Sequence, residues 1–393
     1  MSDKHRVGSA VLFPTDHPLG PAEMIGRAGD VERAALALLG GGNVVMAGPR
    51  RTGKTTVADA ALAACADDGA YTAKVDLFEC PGPGALAHLL ALELLANRPP
   101  LRHAIAQARR HGRGLLEALR TAGALRARLD LGGAELELTI DPGRAEENPT
   151  TALDAALRLG QRLADRDGRR AVIFFDEFQD IAGGRLGDPE VTTRLIRAVL
   201  QRSRAVSVLF AGSIEHLMRD LFAPSERALS QFGSFHELTP IDADEWAPGI
   251  QLRLGRDRTT IDDDALARLL ELGEGHPRTT MLIAQHTHMQ AIEELRRRID
   301  HAMVLAGLDR ALSAERLRHQ QQLERIRLGG RHCETVAVRV AARAEPYSGL
   351  QPQQASRALN ALRDAGVVEH AGRGSWEVPD PLLRRYLCAR RLR

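Results

Sequence analysis

The stretch "GPRRTGKTT", Gly48 to Thr56, decides how the rest of the chain is read. It satisfies G-x-x-x-x-G-K-[ST], the spacing of a phosphate-binding loop. Gly48 and Gly53 let the backbone wrap closely around phosphate oxygens, with Pro49, Arg50, Arg51 and Thr52 forming the wrap. Thr56 lies at the start of the following helix, which offers unpaired N–H groups and its positive dipole end to an anion. Lys54 has the reach for β- and γ-phosphates, and Thr55 can give a hydroxyl to Mg²⁺. A chance match would lack context, but here "NVVMA" precedes as a short buried strand. The helix "GKTTVADAALAACADDG" follows and is stopped by Gly69. Lysine occurs only at positions 4, 54 and 74, so one of three lysines falls inside the loop.

Downstream, "RRAVIFFDEFQD" ends an apolar run on Asp176 and Glu177. Two acids at the end of a buried strand are costly unless a cation or water network meets them. Asp176 fits the Mg²⁺-associated carboxylate, and Glu177 fits a base that polarises the attacking water. The strand "AVSVLFAGS" ends in Ser213, where a third strand could reach the same γ-phosphate. No [NT]KxD guanine-reading motif occurs, so ATP is the expected nucleotide. With "YTAKVDL" as a further strand, the pattern predicts an α/β fold. The expected core is a three-layer α/β/α P-loop core around a parallel sheet.

The 393 residues allow two or three domains, at roughly 100–200 residues each. A net charge of +2 neither demands nor excludes a nucleic-acid partner. The four cysteines are far apart, which argues against a disulfide framework or zinc site. No signal core and no apolar run of membrane-spanning length is present, so a cytoplasmic protein without membrane contact is expected. His286 and His288, two apart on a helix, face different directions and read as surface or core residues. The expected organisation is a flexible arm over 1–22, the core over 23–240, a helical lid and linker helices over 241–330, and a C-terminal domain over 331–393. Within the core, an insert is placed at about 98–148, with "LDLGGAELELTIDPG" reading as a hairpin.

The order "MIGRAGDVERA", "GPRRTGKT", "VIFFDEFQD", "FAGS", "RALSQFGSFHELTPIDADEW", "GEGHPRTT" resembles the AAA+ and STAND-type P-loop ATPases. Archaeal-type predicted ATPases and origin-recognition/initiator ATPases are the groups it resembles most. The resemblance covers about 22–295, and the tail more loosely. It implies that Arg27 lies near the adenine or the domain hinge. It makes Ser213 a sensor on the strand between the P-loop and acidic strands. It makes Arg278, on the lid, a second sensor touching the γ-phosphate. Arg227 matches an arginine finger, for which an ordinary surface arginine is an equal alternative.

The tail "LQPQQASRALNALRDAGVVEHAGRGSWEVPDPLLRRYL" reads as helices and a two-stranded wing, the winged-helix pattern. If it binds double-stranded DNA, Gln353, Gln354, Ser356, Arg357, Asn360 and Arg363 would face the duplex, with Arg373 on the wing. Glu369, Asp364 and Glu377 dilute that positive patch, and contact with proteins is an equal reading. Two functions follow. One is an ATPase whose Mg²⁺-dependent hydrolysis drives a conformational switch on DNA or a DNA-associated complex. The other is a STAND-type switch or scaffold that turns over slowly and assembles with protein partners or with itself.

Overall fold

Five parallel strands carry the phosphate loop, in the order β2-β3-β4-β1-β5. They are β1 (Val44–Ala47), β2 (Tyr71–Asp76), β3 (Ala171–Asp176), β4 (Val206–Gly212) and β5 (Ser234–Glu237). The computed structural model describes residues 12–16, 19–96, 142–223, 226–372 and 374–390. The expected hairpin and most of the 98–148 insert lie outside the described residues, as does Arg373.

The helices of this half are α1 (Ala28–Leu39), α2 (Lys54–Asp67), α3 (Pro83–Ala96), α4 (Pro142–Glu147), α5 (Pro149–Asp167), α6 (Pro189–Leu200) and α7 (Glu215–Phe222). Strands β1, β3 and β4 are buried at every position, which requires cover on both faces. Alternate strand residues divide between the faces. Val45, Ala73, Val75, Ile173, Phe175, Val208 and Phe210 share one cluster with Leu86 and Leu90 of α3 and Leu153 and Leu157 of α5. Val44, Met46, Val172, Phe174 and Leu209, also buried, alternate with them and so point to the other face. Helices α1 and α2 pack on each other. This is the three-layer α/β/α core the sequence predicts. β4 lies between β3 and β1 and runs parallel to both, so Asp176 and the loop after Ala47 end strands at the same edge of the sheet, one strand apart. Asn43 pins this arrangement: its side chain accepts from Val208 N–H and donates to the Phe232 carbonyl, each at 2.9 Å.

The chain divides into two compact units. One holds Ala28–Gly48 and Lys54–Leu238. The other holds Met1–Arg27, Pro49–Gly53 and Thr239–Arg393. The second unit contains α8 (Ala243–Arg256), β6 (Thr260–Ile261), α9 (Asp263–Gly273), α10 (Pro277–Glu293), β7 (Arg298–Ile299), α11 (His301–Ala314) and α12 (Arg316–Leu328). Then come α13 (Cys333–Ala341), α14 (Pro352–Asp364), β8 (Glu369–Gly372), β9 (Ser375–Glu377) and α15 (Pro381–Arg390). Among the described residues it has two apolar cores, one around Trp246, Ile250, Leu269 and Ile283, the other around Ile326, Val336, Leu359, Leu362 and Leu387. The second core begins at Leu323. Antiparallel β8–β9 and the helices around it give the element order expected of the tail.

Within the stretch expected as a free arm, Phe13 is 1% exposed and belongs to the first of these cores. Arg253 fastens it by donating to the carbonyls of Leu12 (2.6 Å) and Glu23. A Phe beside proline reads as loop, and sequence alone does not reveal the buried arginine that receives its backbone.

Candidate nucleotide-binding site

The loop after β1 is shaped by three residues in the left-handed half of backbone space. Gly48 has φ 145°, Arg51 φ 72° and Gly53 φ 91°. Only glycine adopts the first and last without strain. A Cβ built on Gly48 would meet no atom within 4 Å, so the backbone here borders open space of the kind a phosphate needs. Lys54 opens α2 and is buried, its Nζ donating to the Gly48 carbonyl at 2.8 Å. Thr52 Oγ1 closes the loop on the Pro49 carbonyl at 3.0 Å.

Thr55, one residue into α2, donates from Oγ1 to Asp176 Oδ2 at 3.0 Å. These two residues are 121 apart in sequence. Hydroxyl and carboxylate oxygens form a hard donor set that suits Mg²⁺, which takes one or two protein oxygens and leaves its other positions to water and phosphate. Burial pushes the Asp176 carboxyl up to about 6, against the opposing pull of the Thr55 hydroxyl and the Lys74 ammonium. Lys74 lies on β2, paired in register with Phe174, and forms an ion pair with Asp59 at 2.8 Å.

Glu177 follows β3 with φ 48°, a strained conformation for a non-glycine residue. Its Oε2 accepts from Ser213 Oγ at 2.6 Å and from Gln179 Nε2. Gln179 also accepts from the Ser213 N–H at 3.1 Å. Glu177, Gln179 and Ser213 thus form a closed triangle at the ends of β3 and β4. Strain of this kind persists only where surrounding bonds over-determine it, which is what this triangle does.

In the other unit, Arg27 is buried with φ 69°, and its Nη2 donates to the Thr52 carbonyl at 3.3 Å. It is the last residue of the first segment of its unit. Arg278 sits in the first turn of α10, next to His276, whose Nδ1 caps the helix by accepting from Thr279 N–H. Both terminal nitrogens of Arg278 donate to Glu315, at 2.8 Å each. Arg227 is more than half exposed and approaches Glu190 at 3.7 Å.

On α14, Gln353, Gln354, Arg357 and Asn360 are exposed, while Ser356 and Arg363 are half-buried. Arg363 Nη2 is turned onto Asp364 Oδ1 at 3.4 Å. His288 is buried against Asp257 at 3.1 Å, and burial holds its ring below the usual histidine range. Sequence reasoning passed over Gln179, Lys74 and Glu315. Gln179 lay in plain sight two residues after Glu177. Glu315 gave no signal, because its role depends on a contact with Arg278 across 37 residues.

No protein-family model matches the chain. No curated protein matches it in sequence. Its fold is that of the P-loop ATPases. Among solved structures it is similar to a Walker-type ATPase of Pyrococcus abyssi, with a TM-score of 0.67 at 14% identity, over 96% of this chain and 99% of that one. It is also similar to the ORC2 protein of Aeropyrum pernix, solved as ADPNP–ADP complexes, with a TM-score of 0.56 at 16% identity, over 97% and 98% of the two chains. The resemblance read from the motifs therefore holds at the level of fold. Among the described residues no helix is long and apolar enough to cross a membrane.

Proposed function

We propose that the chain binds Mg·ATP at Gly48–Thr56 and hydrolyses it to drive a conformational switch. The observation that carries this reading is the 3.0 Å bond between Thr55 and Asp176. It places the hydroxyl of the phosphate loop against the carboxylate of the acidic strand. Chance resemblance to a phosphate loop supplies no reason for that meeting.

In this reading the backbone of residues 48–53 and the Lys54 ammonium hold the β- and γ-phosphates. Thr55 and Asp176 would hold Mg²⁺, which neutralises charge on the phosphate oxygens. Glu177 accepts a proton from the attacking water as the new P–O bond forms and the bond to the β-phosphate oxygen breaks. Ser213 and Gln179 fix the Glu177 carboxylate, so its orientation is set before substrate arrives. Arg27 would brace the loop through Thr52, and Arg278 would sense the terminal phosphate. The exposed side chains of α14 are the face we assign to double-stranded DNA.

One observation favours a slow, STAND-like switch as the second reading. Both terminal nitrogens of Arg278 are bonded to Glu315. A group engaged in this way must change partners before each turnover, which slows it. Assembly with protein partners or with a second copy is then the output.

Two variants test the proposal together. Lys54→Ala should lose ATP binding by on the order of 100-fold or more, since a buried charge-assisted contact to phosphate is removed. Glu177→Gln should keep ATP affinity and lower turnover by roughly 10²–10⁴-fold. Hydrolysis by the Glu177 variant at the parent rate would remove Glu177 as base. DNA binding through several phosphates should weaken steeply from about 50 to 200 mM salt. No binding at the lower salt would leave the switch reading.

A further inference from the structure

Beside the loop tip lies a polar cluster of which the reaction as described uses only Arg278. Glu315 is the single residue linking α11 to α12, and it is 7% exposed. Three guanidinium groups converge on its carboxylate. Arg278 binds both oxygens side by side at 2.8 Å. Arg318 makes a second ion pair. Arg51, from the middle of the phosphate loop, approaches at 3.9 Å. Arg318 also leans toward Asp380 at 3.6 Å, and Asp380 caps α15 by accepting from the N–H groups of Leu382 and Leu383. The Nε and Nη1 atoms of Arg318 are buried without a hydrogen-bond partner among the described residues.

The chemistry of this cluster is that of an anion site filled from within. One carboxylate cannot satisfy three guanidinium groups, and unsatisfied buried donors are costly. The two parallel N–H···O bonds that Arg278 makes to Glu315 are the same fork it would offer to two oxygens of a phosphate. A terminal phosphate carries more negative charge than a carboxylate and presents three oxygens. Arg51 ties the cluster to the very loop assigned to phosphate.

We propose that Glu315 is an internal competitor for the terminal phosphate of the nucleotide, holding Arg278 until a triphosphate displaces it. This rests on the nucleotide reading above and deepens it. Exchange of partners replaces one anion by another, so no buried charge is left alone on Arg278. Glu315, once displaced, keeps Arg318. Because Glu315 connects two helices and Arg318 reaches the cap of α15, the exchange alters contacts that run into the C-terminal elements. Glu315 is thus a positioning residue that sets the preference between tri- and diphosphate, because ADP lacks the phosphate that would compete for Arg278.

The test uses the full chain, with a β,γ-imido ATP analogue and ADP as probes in Mg²⁺ buffer. Dissociation constants are read by displacement of a fluorescent nucleotide. Glu315→Gln should tighten the analogue by about tenfold and ADP by less than about twofold. Adding Arg278→Gln to the same chain should erase the gain. Should Glu315→Gln melt too low to assay, Glu315→Asp keeps the charge and shortens the reach, and a smaller gain of the same selectivity is expected. Equal changes for both nucleotides, no change in either, or a gain that survives Arg278→Gln would each overturn the proposal. Lys54→Ala separates the two readings. If it abolishes binding while Glu315 variants leave selectivity unmoved, the latch is wrong and the nucleotide site stands. If Lys54→Ala binds normally, the site itself is wrong.

Discussion

At the ends of β3 and β4, carboxylates meet neutral donors: Asp176 takes the Thr55 hydroxyl, and Glu177 takes the Ser213 hydroxyl and the Gln179 amide. At Glu315 the balance is reversed, with three guanidinium groups sharing one carboxylate. Among the described residues no cation is bonded to the first pair of carboxylates, Lys74 pulling on Asp176 only from a distance, whereas the second cluster holds more guanidinium than acid. Each imbalance matches one half of a metal–nucleotide substrate. Buried acid without a cation suits a metal, and excess arginine suits phosphate. A structural ion-pair network would instead tend to bring its charges to balance within itself.

The comparison can be broken first at the acid side. Asp176 titrates at about 6 in the folded chain, above the ordinary aspartate value of 3.8. Folding therefore favours the protonated form. That favour is fully present below pH 3.8 and is lost as pH rises through about 6. Asp176→Asn does not titrate, so its stability relative to the parent should rise across that window and level off above it. The gap at pH 8 without Mg²⁺ should be on the order of 2–3 kcal/mol. Urea melts at pH 4 and pH 8 measure it, and a pH-independent gap would remove burial as the cause.

A smaller effect is expected at Gln179, which touches Glu177 without being a reacting group. Gln179→Ala should lower turnover about five- to tenfold with ATP affinity unchanged, since it loosens the base rather than removing it. Loss of affinity in parallel with turnover would mean that the triangle supports the loop instead. The smallest effect belongs to Arg227. Its exposed pair with Glu190 is worth little, so Arg227→Ala should change turnover less than about twofold in dilute solution. A drop of roughly 10³-fold or more would identify it as a finger acting on phosphate.

How much of this was legible follows from the range of the interactions. The loop and the pair Asp176–Glu177 could be singled out because local spacing marks them, whereas Ser213 drew its role from resemblance. Glycines must sit at 48 and 53, and an apolar run must end on acids if its strand faces phosphate. The placing of β4 between the acidic strand and the loop strand was implied by the resemblance, and the rest of the strand order was not read. Gln179 was visible but had no assigned role, because its value depends on Ser213, 34 residues away. Phe13 and Glu315 were not legible. One is buried by a distant arginine, and the other is one acid among many until Arg278 is placed against it. Arg278 itself was read through resemblance, and that resemblance carried no information about its partner.

The account rests on Asp176 and the phosphate loop serving one metal–nucleotide. ATP affinity should be measured by calorimetry with and without Mg²⁺, for the parent and for Asp176→Asn. Mg²⁺ should tighten ATP in the parent by about tenfold or more and in the variant by less than about twofold. An equal Mg²⁺ response in both proteins would contradict it.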